Sequence, residues 1–390
     1  MEGSWIRDRA FGILAGSAIG DALGGATEGY SPEQIRERHG GRVEGIVGPF
    51  YPDWKTRRPI SPYHKGDGHI TDDTLMTQAL IKVYAGRRTH LDAFAIASDL
   101  VPMMQTDLWW IPELERESIL LQRVFLAEKW LVARLQVGHI DPREAGVGNA
   151  VNCGAAMFMA PVGIVNLANP QRAYAEAIDI AGAHQSSYGR EAAGVFAAAV
   201  AESGAPGATI DSVIDVALSS AHDGTYAAIS AVVDAARVLR GVEVAAADVE
   251  VRLRDAIRPF DTVGEHYRQP NLDARLPSRT KAIEELPVAL GLLVAHDGDF
   301  RATILGAVNY GRDSDSIASM VGSITGGLGG SSVVDQDWLT QIELASRTSI
   351  AHYADLVTDV ATEMIRNDID DSRAQLDRLL TLAHQTLTLR

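Results

Sequence analysis

Two short segments near opposite ends of the chain carry glycine at every fourth position, and they restrict the fold more than any other feature. Residues 14–25 read LAGSAIGDALGG and residues 320–330 read MVGSITGGLGG. Gly16, Gly20 and Gly24 form one set and Gly322, Gly326 and Gly330 the other, so each set lines one face of a helix. A glycine inside a helix costs about 1 kcal/mol relative to alanine, so three in register need a compensating gain. Close approach of two helix backbones supplies one. Either the stripes serve tight packing alone, or the two helices meet at the centre of the protein and fix the loops beside them.

The rest of the chain is patterned for helices. Apolar residues recur at three- and four-residue spacing in 74–86, 91–104, 171–183, 189–203, 211–220, 225–240, 283–296, 336–366 and 371–388. Alternating β-branched runs are nearly lacking, and Val43–Val47 is too short to build a sheet. Hydrophobic residues make up 46% and aromatics only 6%, which suits small-residue helix packing over a β-sandwich. The expected fold class is all-α, with residues 1–390 forming one domain. Three stretches break the helical pattern: 41–69, 138–154 and 259–280. Irregular segments of this length in a compact domain usually carry function.

A net charge of −16 argues against a nucleic-acid partner, because phosphate binding needs a basic face. Arg7 and Arg9 ahead of an apolar stretch resemble a leader, but Asp8 and Asp21 interrupt that pattern. No apolar run is long enough to span a bilayer. The single cysteine, Cys153, fits a reducing compartment and reads as a small buried residue more readily than as a catalytic thiol. A cytoplasmic protein without a membrane partner is expected.

Two acid-rich clusters carry the chemistry. Thr71-Asp72-Asp73-Thr74 and Asp313-Ser314-Asp315-Ser316 each stand at the start of an apolar helical pattern. Thr71 is a good helix N-cap, and acids in a first turn suit the helix dipole. A cap needs only one side-chain oxygen, however, and four carboxylates with several hydroxyls exceed that need. Hard divalent cations take oxygen ligands of this kind, and no Cys/His set with zinc spacing competes.

These residues resemble the ADP-ribosylglycohydrolase family. The similarity runs through Gly20-Asp21-Ala22-Leu23-Gly24 with Glu28, the Thr-Asp-Asp-Thr cluster, Gly148-Asn149 leading to Met157 and Pro161, Ala183-His184, and Gly311-Arg312 with the late cluster. The resemblance implies a compact orthogonal helix bundle with two Mg²⁺ or Mn²⁺ ions, held by Thr71, Asp72, Asp73, Asp313, Asp315 and Ser316. It implies catalytic roles for Glu28, Asp73 and Asp313, and substrate contacts at Asn149, Gly154, Phe158, His184 and Arg312. Asp21 is expected to cap or brace the first loop. The implied reaction is hydrolysis of an N- or O-glycosidic bond to ADP-ribose.

The sequence departs from the family on the substrate side. Phe158 stands where the family has arginine, Ala183 where it has threonine, and Arg312 adds a cation that would either meet a phosphate or balance nearby carboxylates. His184 also reads as a structural histidine. Trp109, Trp110, Tyr63, His64 and Tyr267 offer rings that could stack on a base or simply pack. The leading reading is release of ADP-ribose from a modified protein; the same cleavage on a small nucleotide-like metabolite, which the lost arginine favours, and a non-catalytic relative stay open beside it. Oligomeric state is not legible.

Overall fold

Polar residues placed one position ahead of apolar periodic segments set the helix starts, as local capping chemistry requires. Ser4 accepts from the Arg7 amide at 3.1 Å to open Trp5–Gly24, and Ser31 and Gln34 close a capping box on Pro32–His39. Asn169, Thr209, Asp299 and Asp335 cap Pro170–Gly182, Ile210–Ser220, Phe300–Tyr310 and Gln336–Ser346 in the same way. The computed structural model describes residues 4–49, 52–54, 65–242, 245–261 and 281–388. The fold is all-α. Its sheet among the described residues is one short antiparallel hairpin, Leu108–Ile111 with Arg116–Ile119.

The two glycine-striped helices, Trp5–Gly24 and Ser314–Gly329, lie antiparallel in direct backbone contact. A Cβ added at Gly16 would overlap the Gly322 carbonyl, and one at Gly322 would overlap that of Gly16. The same opposition pairs Gly12 with Gly326, Gly20 with Ala318, and Gly24 with Ser314. Buried Ser17 and Ser319 hydrogen-bond across the seam at 2.8 Å. Both helices are buried along most of their length, so the seam is the axis of the protein.

The seam is not the one that spacing alone indicates. Gly330 lies past the helix at φ +67°, where it ends the element while its backbone still packs on Gly12, and Gly12 joins the first stripe. Four-residue spacing cannot separate a glycine needed for close approach from one needed for a left-handed turn.

Other helices wrap this axis. Asp72–Arg87, Ser187–Ser203, Lys281–Ala295 and Phe300–Tyr310 pack around it, and the long Ile350–Thr388 helix lies along Trp5–Gly24. The C-terminal pattern divides at Arg347, which has φ 50°, and then runs unbroken through 367–370. Beyond residue 368 this helix projects into solvent with Leu376, Leu379, Leu380 and Leu382 exposed. Ala246–Ile257 escapes the apolar pattern because its buried residues are Val249, Leu253 and Ile257 with the charged Glu250, among other charged neighbours. The stretch 138–154 is irregular, with short turns at Pro142–Glu144 and Cys153–Ala155. Much of 41–69 and of 259–280 lies outside the described residues. No single described helix is long and apolar enough to cross a membrane.

Candidate active site

The helix Asp72–Arg87 is capped by a carboxylate from another helix. Thr71, the expected N-cap, makes no side-chain capping bond. Asp21, fully buried on the first glycine helix, accepts from the amides of Thr71 at 2.9 Å and Thr74 at 3.1 Å and from both threonine hydroxyls. One side chain thus satisfies two of the orphan N–H groups at that helix end. Arg123 bonds the Ile70 carbonyl and Ser346 accepts from the Ile70 amide at 3.0 Å, which fixes the chain entering the motif. Asp72 and Asp73 are therefore held in a first turn braced against the central seam, as expected for a bracing Asp21.

The facing wall is built from a strained turn. Gly311 and Arg312 have φ of 73° and 58°, and a Cβ on Gly311 would overlap the Tyr30 carbonyl. The Arg312 amide donates to Tyr30 O at 2.9 Å, and Ser314 Oγ donates to Gly24 O at 2.9 Å. Thr27 lies 3.0 Å from Ser314 Oγ. These bonds lock the 24–31 turn, which carries Glu28, onto the 311–316 turn.

The two walls bring their carboxylates together. Asp21, Asp73 and Asp315 offer oxygens within 4.8 Å of one another, and Glu28, Asp313 and Asp315 form a second such set. Asp73 Oδ1 is buried without a hydrogen-bond partner among the described residues. Burial, and then the neighbouring Glu128 carboxylate, push Asp72 well above the ordinary range. Burial and Asp21 do the same to Asp73. Burial lifts Asp315 to about 6 even though Lys65 opposes it. A buried carboxylate that lacks donors and faces other carboxylates is at its best beside a cation. The donors are oxygens, so the set fits a hard divalent ion.

Four residues near this site lie outside the motifs. Lys65 is buried and bonds Glu28 and, at 3.0 Å, Asp315 Oδ2. Burial pulls its ammonium down, but Asp315, Glu28 and Asp72 outweigh that and hold it above its ordinary value. Glu128 is buried, and burial pushes it up to about 7. Cys153 is buried as expected, but its thiol donates to Asp313 Oδ2 at 3.0 Å. Glu285 is fully buried, and neither of its oxygens has a hydrogen-bond partner among the described residues. Glu285 carried a signal, because two glutamates immediately precede the apolar run LPVALGLLVA. Lys65 and Glu128 sit in unremarkable local sequence.

The expected substrate residues ring the acidic centre with their polar atoms turned toward protein. Asn149 Nδ2 donates to Ala127 O at 3.0 Å and His184 O at 2.8 Å. A Cβ at Gly154 would crowd Glu128 and Asn152. Phe158 is buried with its ring 5.9 Å from that of His184. Arg312 pairs with Glu284 at 2.6 Å and with Asp261 at 2.8 Å, which is the charge-balancing alternative. Lys82 lies over Trp109 and Arg347 over Trp110, so both rings have protein cations on their faces. Lys82 is some 15 Å along its helix from Asp72. Tyr63, His64 and Tyr267 lie outside the described residues. On the far side of the Glu28 turn is a cavity of about 550 Å³ lined by Gly29, Tyr30, Gln34, Arg254, Tyr310 and Arg312.

His184 is buried, and desolvation lowers it to about 4, partly offset by its bond to the Ala127 carbonyl. Below its ordinary pH of about 6.5 the unfolded chain takes up this proton and the folded chain does not, so stability falls with pH down to about 4. The stability advantage of wild type over His184→Gln is expected to shrink by up to roughly 3 kcal/mol between pH 7 and pH 4. Urea midpoints across that range check it, and a flat difference would place His184 in water.

Comparison with known proteins identifies the family and the fold. The sequence model of the ADP-ribosylglycohydrolase family matches residues 3–368. An uncharacterized Escherichia coli (strain K12) protein, YegU, is 22% identical over 349 residues, covering 89% of this chain and 95% of its own. A solved structure titled ADP-ribosylglycohydrolase-related protein complex superposes with a TM-score of 0.57 at 20% identity, over 91% of this chain and 99% of that one. At that identity the superposition speaks to the fold alone.

Proposed function

The chain belongs to the ADP-ribosylglycohydrolase family, and from that membership we propose that it is a divalent-cation-dependent hydrolase of a glycosidic bond to ribose in an ADP-ribosyl or nucleotide-like compound. The family itself supports a glycohydrolase activity. The observation that carries the finer reading is the convergence of the early and late acidic motifs on one buried site, with Asp73 Oδ1 left without a donor.

Thr71, Asp72, Asp73, Asp313, Asp315 and Ser316 would hold two Mg²⁺ or Mn²⁺ ions. When bound, such ions hold ribose hydroxyls and lower the pKa of a water. Glu28, fixed on the 24–31 turn, is the proposed general base, with Asp73 or Asp313 as the alternative. Asp73 and Asp313 lie on opposite walls, so their charge also favours a transition state with positive character at the anomeric carbon. Lys65 orients Glu28 and Asp315 through direct bonds. The cavity beside Arg312, lined by Arg254, Arg258 and Arg312 together with Glu33, Glu250 and Asp255, is in the size range of small-ligand pockets, and its arginines are already paired with carboxylates.

A small metabolite is the favoured substrate over a modified protein. Phe158 presents a buried apolar ring to His184 where the family pattern has arginine, so that position supplies no charge to a substrate. Incubation with Mg²⁺ or Mn²⁺ and a panel of ADP-ribosyl-arginine, ADP-ribosyl-serine, ADP-ribosylated nicotinamide derivatives and simple nucleosides tests both points. Turnover of small molecules without release from modified protein is the expected result. Release of no ribosyl product would instead indicate a non-catalytic relative. Metal dependence has a separate readout: the double variant Asp72→Asn with Asp315→Asn should lose calorimetric Mg²⁺ binding while keeping its helical circular dichroism. Unchanged Mg²⁺ affinity would remove the metal from the reading.

A further inference from the structure

On the side of the late acidic motif that faces the Cys153–Ala155 turn, a sulfur and two carboxylates converge. Cys153 Sγ, a Glu285 carboxylate oxygen and an Asp313 carboxylate oxygen lie within 4.8 Å of one another. Cys153 is 5% exposed and Glu285 fully buried. The thiol contacts Asp313 Oδ2 at 3.0 Å and Ser316 Oγ at 3.2 Å. Both Glu285 oxygens lack a donor among the described residues. Buried carboxylates are almost always hydrogen-bonded or ion-paired. The groups that converge on it are a thiol and the Asp313 carboxyl, which adds to burial in pushing Glu285 up, and neither brings positive charge. Lys65 is engaged with Glu28 and Asp315 instead.

We propose that Cys153, Glu285 and Asp313 form a binding site for a thiolate-accepting divalent cation of the Zn²⁺ or Co²⁺ class, distinct from the all-oxygen centre and joined to it through Asp313. The donor set decides the class of ion. Thiolate selects borderline and soft cations, whereas Mg²⁺ and Ca²⁺ keep to oxygen. Bonds of about 2.0–2.3 Å put the donors around one tetrahedral ion less than about 4 Å apart, so small side-chain rotations close the set. Binding exchanges the Cys153 thiol proton for the metal: a sulfur–hydrogen bond breaks, a sulfur–metal bond forms, and one proton leaves to solvent.

The backbone holds these donors in place without the ion. Asn152 Oδ1 accepts from the Gly154 amide at 3.0 Å and from Gln185 Nε2 at 2.9 Å, which fixes the turn carrying Cys153. Glu285 sits in the Lys281–Ala295 helix, which packs on Ser314–Gly329. The inference does not depend on the ribosyl reading, since it concerns which ion binds and not what is hydrolysed.

The chain has one cysteine, so any thiolate-to-metal charge-transfer band must come from Cys153. The full-length, metal-free protein is titrated with Co²⁺ and followed in the near ultraviolet. A saturable band is expected, erased by equimolar Zn²⁺ and retained in large excess of Mg²⁺. Cys153→Ser should abolish the band, and Glu285→Gln should weaken the Co²⁺ affinity it reports by roughly tenfold or more. A wild type without the band, displacement by Mg²⁺, or indifference to Glu285→Gln in a folded variant each overturns the proposal. If Glu285→Gln does not fold, Glu285→Asp takes its place, and the Zn²⁺ and Mg²⁺ competition on wild type decides independently.

Discussion

Gly322→Val is expected to cost most of the stability of the fold, more than about 4 kcal/mol. The Cβ of any larger residue at 322 meets the Gly16 carbonyl, and the facing atoms are backbone on both sides. No rotamer change relieves such a clash, so the two helices must separate along the seam. Separation breaks the Ser17–Ser319 bond and moves Asp21 relative to Asp315, on opposite sides of the site. Ordinary overpacking costs about 1–3 kcal/mol because side chains give way. Backbone against backbone should exceed about 4 kcal/mol, a large part of a typical stability of about 5–15 kcal/mol. Gly86→Ala is the control: it lies inside the Asp72–Arg87 helix with nothing within 4 Å, and should gain up to about 1 kcal/mol. Thermal and urea unfolding compare the two. A Gly322→Val protein within about 1 kcal/mol of wild type would mean that the seam is looser than described.

Asp315→Asn is expected to lower hydrolysis of the panel substrate at least about 10³-fold, a loss of roughly 4 kcal/mol in transition-state stabilisation. Asp315 belongs to both all-oxygen sets and also receives Lys65, so one amide weakens each of them. Metal-free stability should move the other way or stay level. Burial and the Asp313 and Asp21 carboxylates oppose the Asp315 charge more than the Lys65 pair supports it, and the amide removes that repulsion while Lys65 keeps Glu28. Initial rates at saturating Mg²⁺ and melting in chelator separate the two effects. Loss of activity together with a drop in metal-free melting temperature would instead assign Asp315 a structural role.

Legibility in the sequence followed how locally each feature is encoded. The acidic motifs could be read because their oxygens are neighbours in sequence and exceed what helix capping consumes. The role of Thr71 could not, because its helix end is satisfied by Asp21, fifty residues earlier. The glycine seam is visible as spacing, but spacing does not reveal that Gly12 belongs to it or that Gly330 ends the helix. The hairpin at Leu108–Ile111 fell below any alternation signal, being four residues long on each strand. Lys65, Glu128 and Glu285 reach the site from segments whose own patterns say only loop or helix. Their meaning arises from tertiary placement, which no local period reports. Sequence leaves Arg312 two roles, and its pairing with Glu284 and Asp261 is the balancing one.

The seam also orders events during synthesis. Ser17 and Ser319, bonded across it, are separated by 302 residues. At about 5–20 residues per second, a ribosome exposes the first glycine helix roughly 15–60 s before the strip that covers it. During that interval a bare glycine–alanine face waits without its counterpart, and Asp21 can cap its threonines while the late carboxylates do not yet exist. The early half of the site can thus take shape before the late half is made, and the whole site closes only once the second glycine helix has emerged.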